Sequence, residues 1–155
     1  VEVCAIEVDD YFNEIDSFHA FINPQRKVPW FVTRIHGLNN EFLDDKPIFS
    51  DIGRDLLLFL EGSELWAHNM SFDAGMLNAE FARNRLPTLE KVDCRLNCTL
   101  QLARSTFPGQ KNSLDALLDR FAIDRSERRL HGAMIDTRLL VKVYQNLVSY
   151  RTKTS

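Results

Sequence analysis

Apolar and polar positions divide this chain into short extended stretches and longer periodic ones. Residues 1–8, VEVCAIEV, have strand composition, and residues 15–24, IDSFHAFINP, read as a second strand closed by a proline. The acidic DDYFNE between them reads as a hairpin connection. In IFSDIGRDLLLFLEG the residues Ile48, Phe49, Ile52, Leu56, Phe59 and Leu60 recur at helical spacing, and Gly62 stops the pattern. ELWAH, residues 64–68, is a short buried strand running straight into NMSFDAGMLNAEFARNRL, a helix that Pro87 closes. LEKVDC predicts another strand, LNCTLQLARSTF a helix ending at Pro108 and Gly109, and NSLDALLDRFAI a helix capped by Asn112 or Ser113. SERRLHG is a loop, and residues 133 to about 150 form the last helix. The segment PWFVTRIHGLNNEFLDDKP carries few periodic signals. A hairpin followed by alternating strand and helix predicts an α/β sandwich with a mixed sheet.

Two carboxylates fall on the apolar faces of these helices. Counting from Asp136, Leu139, Leu140, Val143, Tyr144 and Leu147 lie at i+3, i+4, i+7, i+8 and i+11. Counting from Asp73, Met76 and Leu77 lie at i+3 and i+4, and Phe81 at i+8. A carboxylate on a buried face is costly without a donor, a cation or water. Helix-start chemistry or an internal Arg–Asp pair would account for either acid alone. Together they point to a divalent metal site of the Mg²⁺ or Mn²⁺ type, with oxygen ligands. Each acid also follows a histidine at short range, in HNMSFD and HGAMID. A histidine beside such a site can act as a base on water. The plainer readings are a polar strand terminus for His68 and a helix-capping loop residue for His131.

Composition narrows the classes. The 155 residues suit one domain, and 45% hydrophobic with 26% charged residues is the balance of a globular protein. No apolar run is long enough to span a bilayer, and no signal peptide is expected. Three cysteines without a CxxC pair argue against a disulfide framework and fit a reducing, cytoplasmic setting. Cys94 and Cys98 read as buried small residues rather than ligands. The net charge of -3 hides an asymmetry: residues 1–80 hold 5 Lys/Arg against 15 Asp/Glu, residues 81–155 hold 14 against 7. Lys111, Arg120, Arg125, Arg128 and Arg129 crowd near HGAMID, either as a field that attracts a phosphate backbone or as a solvated surface.

HNMSFDAGM, residues 68–76, resembles the second motif of the DnaQ-like (DEDDh) 3′–5′ exonucleases, and LHGAMIDTRLL, residues 130–140, resembles the third in its histidine-containing form. FPGQKNSLDALLDRFAID, residues 107–124, is similar to the segment before the third motif in epsilon-type members, the proofreading subunits of bacterial replicases. RIHGLNNEFLDDKPIF, residues 34–49, is similar to the segment before the first helix. The resemblance runs from residue 1 to about 150. It implies a ribonuclease H-like mixed β-sheet flanked by helices, and removal of nucleotides from DNA 3′ ends in proofreading or repair. It implies two divalent metal ions, Mg²⁺ or Mn²⁺, held by four carboxylates, with a histidine as base. Carried over, Asp73 and Asp136 are metal ligands and His131 is the general base. Asn69 and Phe72 contact the terminal nucleotide, and His36 faces the substrate base. The implied partners are a nucleic-acid 3′ end, preferably single-stranded DNA, and a DNA polymerase catalytic subunit, with no membrane.

One departure accompanies the matches. The family's first motif, Asp-x-Glu, lies on a strand before the one that VEVCAIEV resembles, where Glu2 occupies a familiar glutamate position. EVDD, residues 7–10, sits at a strand end in the wrong register. The expectation is therefore a fold lacking its first strand: an N-terminally truncated exonuclease domain over residues 1–150 with a tail at 151–155. The missing strand would come from a longer natural chain or from another chain. A nuclease-dead module binding nucleic-acid ends or a polymerase subunit, and an exoribonuclease of the same fold, are the alternatives. Retention of Asp73, His131 and Asp136 weighs against the first, and FPGQKNSLDAL favours the epsilon type over the second.

Overall fold

A computed structural model describes residues 2–23, 46–126 and 132–154. The segment around His36 and the residues 127–131, with His131, lie outside the described residues. The fold is α/β and the chain divides into two compact units.

The first unit comprises Val1–Phe59 and Ser126–Arg138. Strands β1 (Glu2–Val8) and β2 (Glu14–Phe21) pair antiparallel, with Ala5 opposite Phe18. The register shifts between Glu7 and Val8, and the turn that follows is organised by Asp9. Its Oδ1 accepts the backbone N–H groups of Tyr11 and Asn13, each at 2.9 Å. Those bonds, the Asn13 N–H first among them, hold the Asp9 carboxyl below its usual range. Asp9 therefore serves the turn. Helix α1 (Phe49–Leu60) buries Phe49, Leu56, Leu57 and Leu60, close to the sequence stripe. Its Phe59 ring meets Phe18 of β2 with centroids 6.0 Å apart.

The second unit comprises Leu60–Arg125 and Leu139–Ser155. Strands β3 (Glu64–Ala67) and β4 (Arg95–Cys98) pair parallel, Ala67 opposite Cys98. Each strand leads at once to a helix: β3 to α2 (Met70–Arg83) and β4 to α3 (Thr99–Thr106). Helix α4 (Leu114–Arg120) begins at Ser113, whose hydroxyl accepts the Ala116 N–H at 3.1 Å. Helix α5 (Ala133–Thr154) starts in the first unit and continues through the second. Phe81, Leu89, Ala103, Leu117, Leu118, Val143 and Leu147 are completely buried. Each Leu, Val or Phe side chain so buried stabilises by roughly 1.5–3 kcal/mol.

Several sequence expectations are corrected. LEKVDC does not form a strand: Glu90–Val92 is a 3₁₀ turn, and Asp93 takes a left-handed φ of 64° that breaks extension. The strand lies at Arg95–Cys98, where pairing with β3 holds the backbone extended, so the helix expected from Leu96 begins at Thr99. Helix α2 buries Met70, Ala74 and Phe81, and Met76 is 49% exposed, because the buried face is turned away from the Asp73-to-Met76 row. Both pairings of the expected mixed α/β fold occur among the described strands, one antiparallel and one parallel. Helix α5 also extends past residue 150: Arg151 donates to Ser105 Oγ and Thr106 Oγ1 at 2.9 and 3.2 Å, tying its last turn to the end of α3.

Candidate active site

Asp136 stands on the first turn of α5 in the first unit. That turn is pinned to the hairpin by three side chains. Glu2 Oε1 accepts the Ala133 N–H at 2.9 Å, and Glu2 Oε2 lies 2.6 Å from His19 Nε2. Cys4 Sγ lies 3.5 Å from Met134 Sδ. Arg138 donates to both oxygens of Glu14, at 3.0 and 3.3 Å, and this pairing lowers the Glu14 carboxyl. Within the turn, the Asp136 N–H reaches Gly132 O at 3.0 Å and Thr137 Oγ1 donates to Ala133 O at 2.6 Å. Asp136 is half-buried and its Oδ1 is fully buried. Leu139, Val143 and Leu147 further along the same helix face are buried, as the stripe predicts.

Asp73 stands on the first turn of α2 in the second unit. Asn69, with φ 79° and ψ 59°, is the second of the two residues that turn the chain from β3 into α2. The Phe72 and Asp73 N–H groups reach back to Asn69 O at 3.1 and 3.4 Å. Asp73 is half-buried, and burial pushes its carboxyl above the usual range. Asn69 and Phe72 are exposed beside it, Phe72 at 60%. The structure thus brings Asn69, Phe72 and Asp73 to one helix start and places Asp136 at another. His36 and His131 lie outside the described residues. Among the described residues no group of three or more His, Cys, Asp or Glu side chains is gathered as a metal cluster.

Sequence reasoning missed the cluster beneath this helix start. His68 Nδ1 lies 2.9 Å from Thr99 Oγ1, and His68 Nε2 lies 2.7 Å from the Asn112 carbonyl oxygen. Asn112 is buried; its Nδ2 donates to Phe107 O and Gln110 O, each at 3.1 Å, and its Oδ1 accepts from Arg120 Nη1 at 3.0 Å. Arg120 also donates to Lys111 O at 2.6 Å and stacks over the Phe107 ring at 4.6 Å. Much of FPGQKNSLDALLDRF is therefore internal scaffolding. Arg120 is held within it, and Arg125 pairs with Asp119 and Asp115 at the surface. Cys98 closes the same end of the sheet. Burial alone would raise its thiol, but the N–H groups of Met70, Gln101, Asn69 and Leu100 outweigh burial and lower it.

Each of these two carboxylates stands on the first turn of a helix, and the chain belongs to the exonuclease family: the family model described as Exonuclease matches residues 1–144. Within that family it is similar to epsilon subunits of DNA polymerase III. It is 38% identical over 152 residues to the DNA polymerase III subunit epsilon of Pasteurella multocida (strain Pm70), covering 98% of this chain and 60% of that protein. It is 45% identical over 157 residues to the DNA polymerase III subunit epsilon of Rickettsia conorii (strain ATCC VR-613 / Malish 7), covering 97% of this chain and 66% of that protein. The chain thus spans 60 to 66% of the length of these relatives. Among solved structures it superposes with a TM-score of 0.70 on Exonuclease X in complex with 5′ overhanging duplex DNA, at 26% identity, covering 96% of this chain and 82% of that one.

Proposed function

We propose that the chain is the nuclease domain of a metal-dependent 3′–5′ exonuclease that removes nucleotides from DNA 3′ ends, of the proofreading type. The observation that supports this most is the 38 to 45% identity with epsilon subunits across nearly the whole chain. Asp73 and Asp136 are the hard-oxygen donors that Mg²⁺ or Mn²⁺ takes. A carboxyl raised by burial, as Asp73 is, gains from a cation beside it. When bound, the ions supply positive charge to the phosphate and the leaving 3′ oxygen and acidify the attacking water. His131 takes the proton from that water. Phe72 offers an exposed ring to the terminal base, and stacking of this kind is worth about 1–3 kcal/mol per base. Asn69 contacts the terminal nucleotide, and His36 faces its base. The preferred substrate is a single-stranded DNA 3′ end, and the protein partner is a DNA polymerase catalytic subunit. The setting is cytoplasmic, where free cysteines such as Cys4, Cys94 and Cys98 stay reduced. None of the described helices is long and apolar enough to cross a membrane.

The test is a 5′-labelled single-stranded DNA oligonucleotide and an RNA of the same sequence, each incubated with Mg²⁺, Mn²⁺ or a chelator. The expected result is a metal-dependent ladder shortened from the 3′ end, faster on DNA. Faster shortening of RNA would move the activity to exoribonucleolysis. Binding of a 3′ end without shortening in either metal would overturn the enzymatic reading.

A further inference from the structure

The second-motif histidine and the FPGQKN segment are joined by a hydrogen bond across 44 positions, and neither partner enters the chemistry above. A carbonyl oxygen only accepts, so the His68 nitrogen facing Asn112 O carries the proton. In a neutral ring Nδ1 is then an acceptor, and the completely buried Thr99 hydroxyl donates to it. An imidazolium would point a second N–H at Thr99 and force that hydroxyl to turn its proton away. Burial holds the imidazole below its usual range; the Asn112 carbonyl opposes this in part, and Arg104 on α3 adds to it. The anchor itself is rigid, because both ends of the Asn112 amide are bonded. Directly after His68 come left-handed Asn69 and then Met70, whose N–H reaches Cys98 Sγ at 3.5 Å.

We propose that His68 is a positioning residue for Asp73: a neutral imidazole, protonated on Nε2, that ties the end of β3 to α3 and to the loop before α4 and so sets where α2 begins. The proposal rests on the reading of Asp73 as a metal ligand, and it adds a role to the second motif that is neither ligation nor base catalysis. It also accounts for the segment at residues 107–113 as the distant anchor of the same site.

The test uses the protein with His68→Ala, His68→Gln and Thr99→Val. Gln offers an N–H to Asn112 O and an oxygen to the Thr99 hydroxyl but does not titrate. In the wild type, ¹⁵N NMR is expected to show an unprotonated Nδ1 and a slowly exchanging Nε2–H. In His68→Ala, amide exchange at Met70, Phe72 and Asp73 is expected to speed at least tenfold, while Leu117 and Leu118 in α4 keep their rates. Turnover is expected to fall roughly 10- to 100-fold with little change in KM, as displacement of a reacting group by about an ångström does. Gln is expected to restore both readouts to within a few-fold, and Thr99→Val to give a smaller loss in the same amides. A ring that titrates freely near the ordinary histidine range, or exchange that speeds equally everywhere, would overturn the proposal. So would wild-type turnover in His68→Ala. Should the wild type itself release no nucleotides, the metal-ligand reading of Asp73 falls, while the tautomer and exchange readouts still decide the positioning role.

Discussion

Glu2 on β1 accepts the backbone N–H of Ala133, the first residue of α5, at 2.9 Å across 131 positions of sequence. A strand carboxylate thus caps the helix that carries Asp136, placing negative charge where the helix dipole favours it. Glu2→Ala is expected to destabilise by about 1 kcal/mol, the ordinary worth of a helix cap, and Glu2→Gln by less, since it keeps the acceptor. Urea unfolding with an unchanged slope checks this. Equal midpoints for wild type and Glu2→Ala would show that the cap contributes nothing.

Asp73 carries a stability cost of its own. Its folded carboxyl is raised by burial, so its contribution is most favourable at pH below the unfolded carboxylate range and is lost as pH rises through the raised folded value. At neutral pH without metal the charge is a burden. Asp73→Asn is expected to raise the melting temperature of the metal-free protein at pH 7, and to leave it little changed at pH 3 to 4. It is also expected to abolish turnover and the stabilisation by Mn²⁺. A lower melting temperature for Asp73→Asn at pH 7 would mean that the carboxylate is held by bonds stronger than its burial.

Where the sequence was informative, a local period was buried on one face. The α1 stripe and the Leu139, Val143 and Leu147 row lie inside as their spacing predicts, and the phase of that row is what singled out Asp136. Where it was not, the deciding partner was far away in the chain. β4 is four residues long and extended because β3 pairs with it, while LEKVDC looked as strand-like but is turned by Asp93. Met76 shares the apolar row of Asp73 yet faces outward, since two apolar residues in one turn leave the phase ambiguous. The Glu2 carboxylate and the Asn112 carbonyl have partners that no local window contains; the Asn-Ser start of α4 is legible as a cap, but not the hold of Asn112 on His68.

The three thiols are expected to differ in reactivity. Burial raises those of Cys4 and Cys94, whereas backbone N–H groups lower that of Cys98. Alkylation by iodoacetamide at pH 7.5, followed by peptide mass analysis, should label Cys98 first, because the thiolate is the nucleophile. Preferential labelling of Cys94 would contradict the arrangement of N–H groups around Cys98.

Asn112→Ala removes bonds to Phe107 O, Gln110 O and Arg120 together and leaves those groups without it. Unsatisfied buried polar groups cost about 1–3 kcal/mol each, so the loss should exceed that of Glu2→Ala. Arg120→Lys, which keeps the charge but not the forked guanidinium, should recover part of the stability that Arg120→Ala loses. Denaturant unfolding of the set orders them, and equal stability of Asn112→Ala and wild type would remove the scaffolding role of the loop.

The central claim is that the carboxylate on the buried stripe of α5 holds metal for phosphodiester cleavage. The most direct measurement is Mg²⁺-dependent release of 3′ nucleotides by Asp136→Ala, with circular dichroism confirming the fold. A folded protein with no detectable release is expected. Release at a near-wild-type rate from folded Asp136→Ala would contradict it.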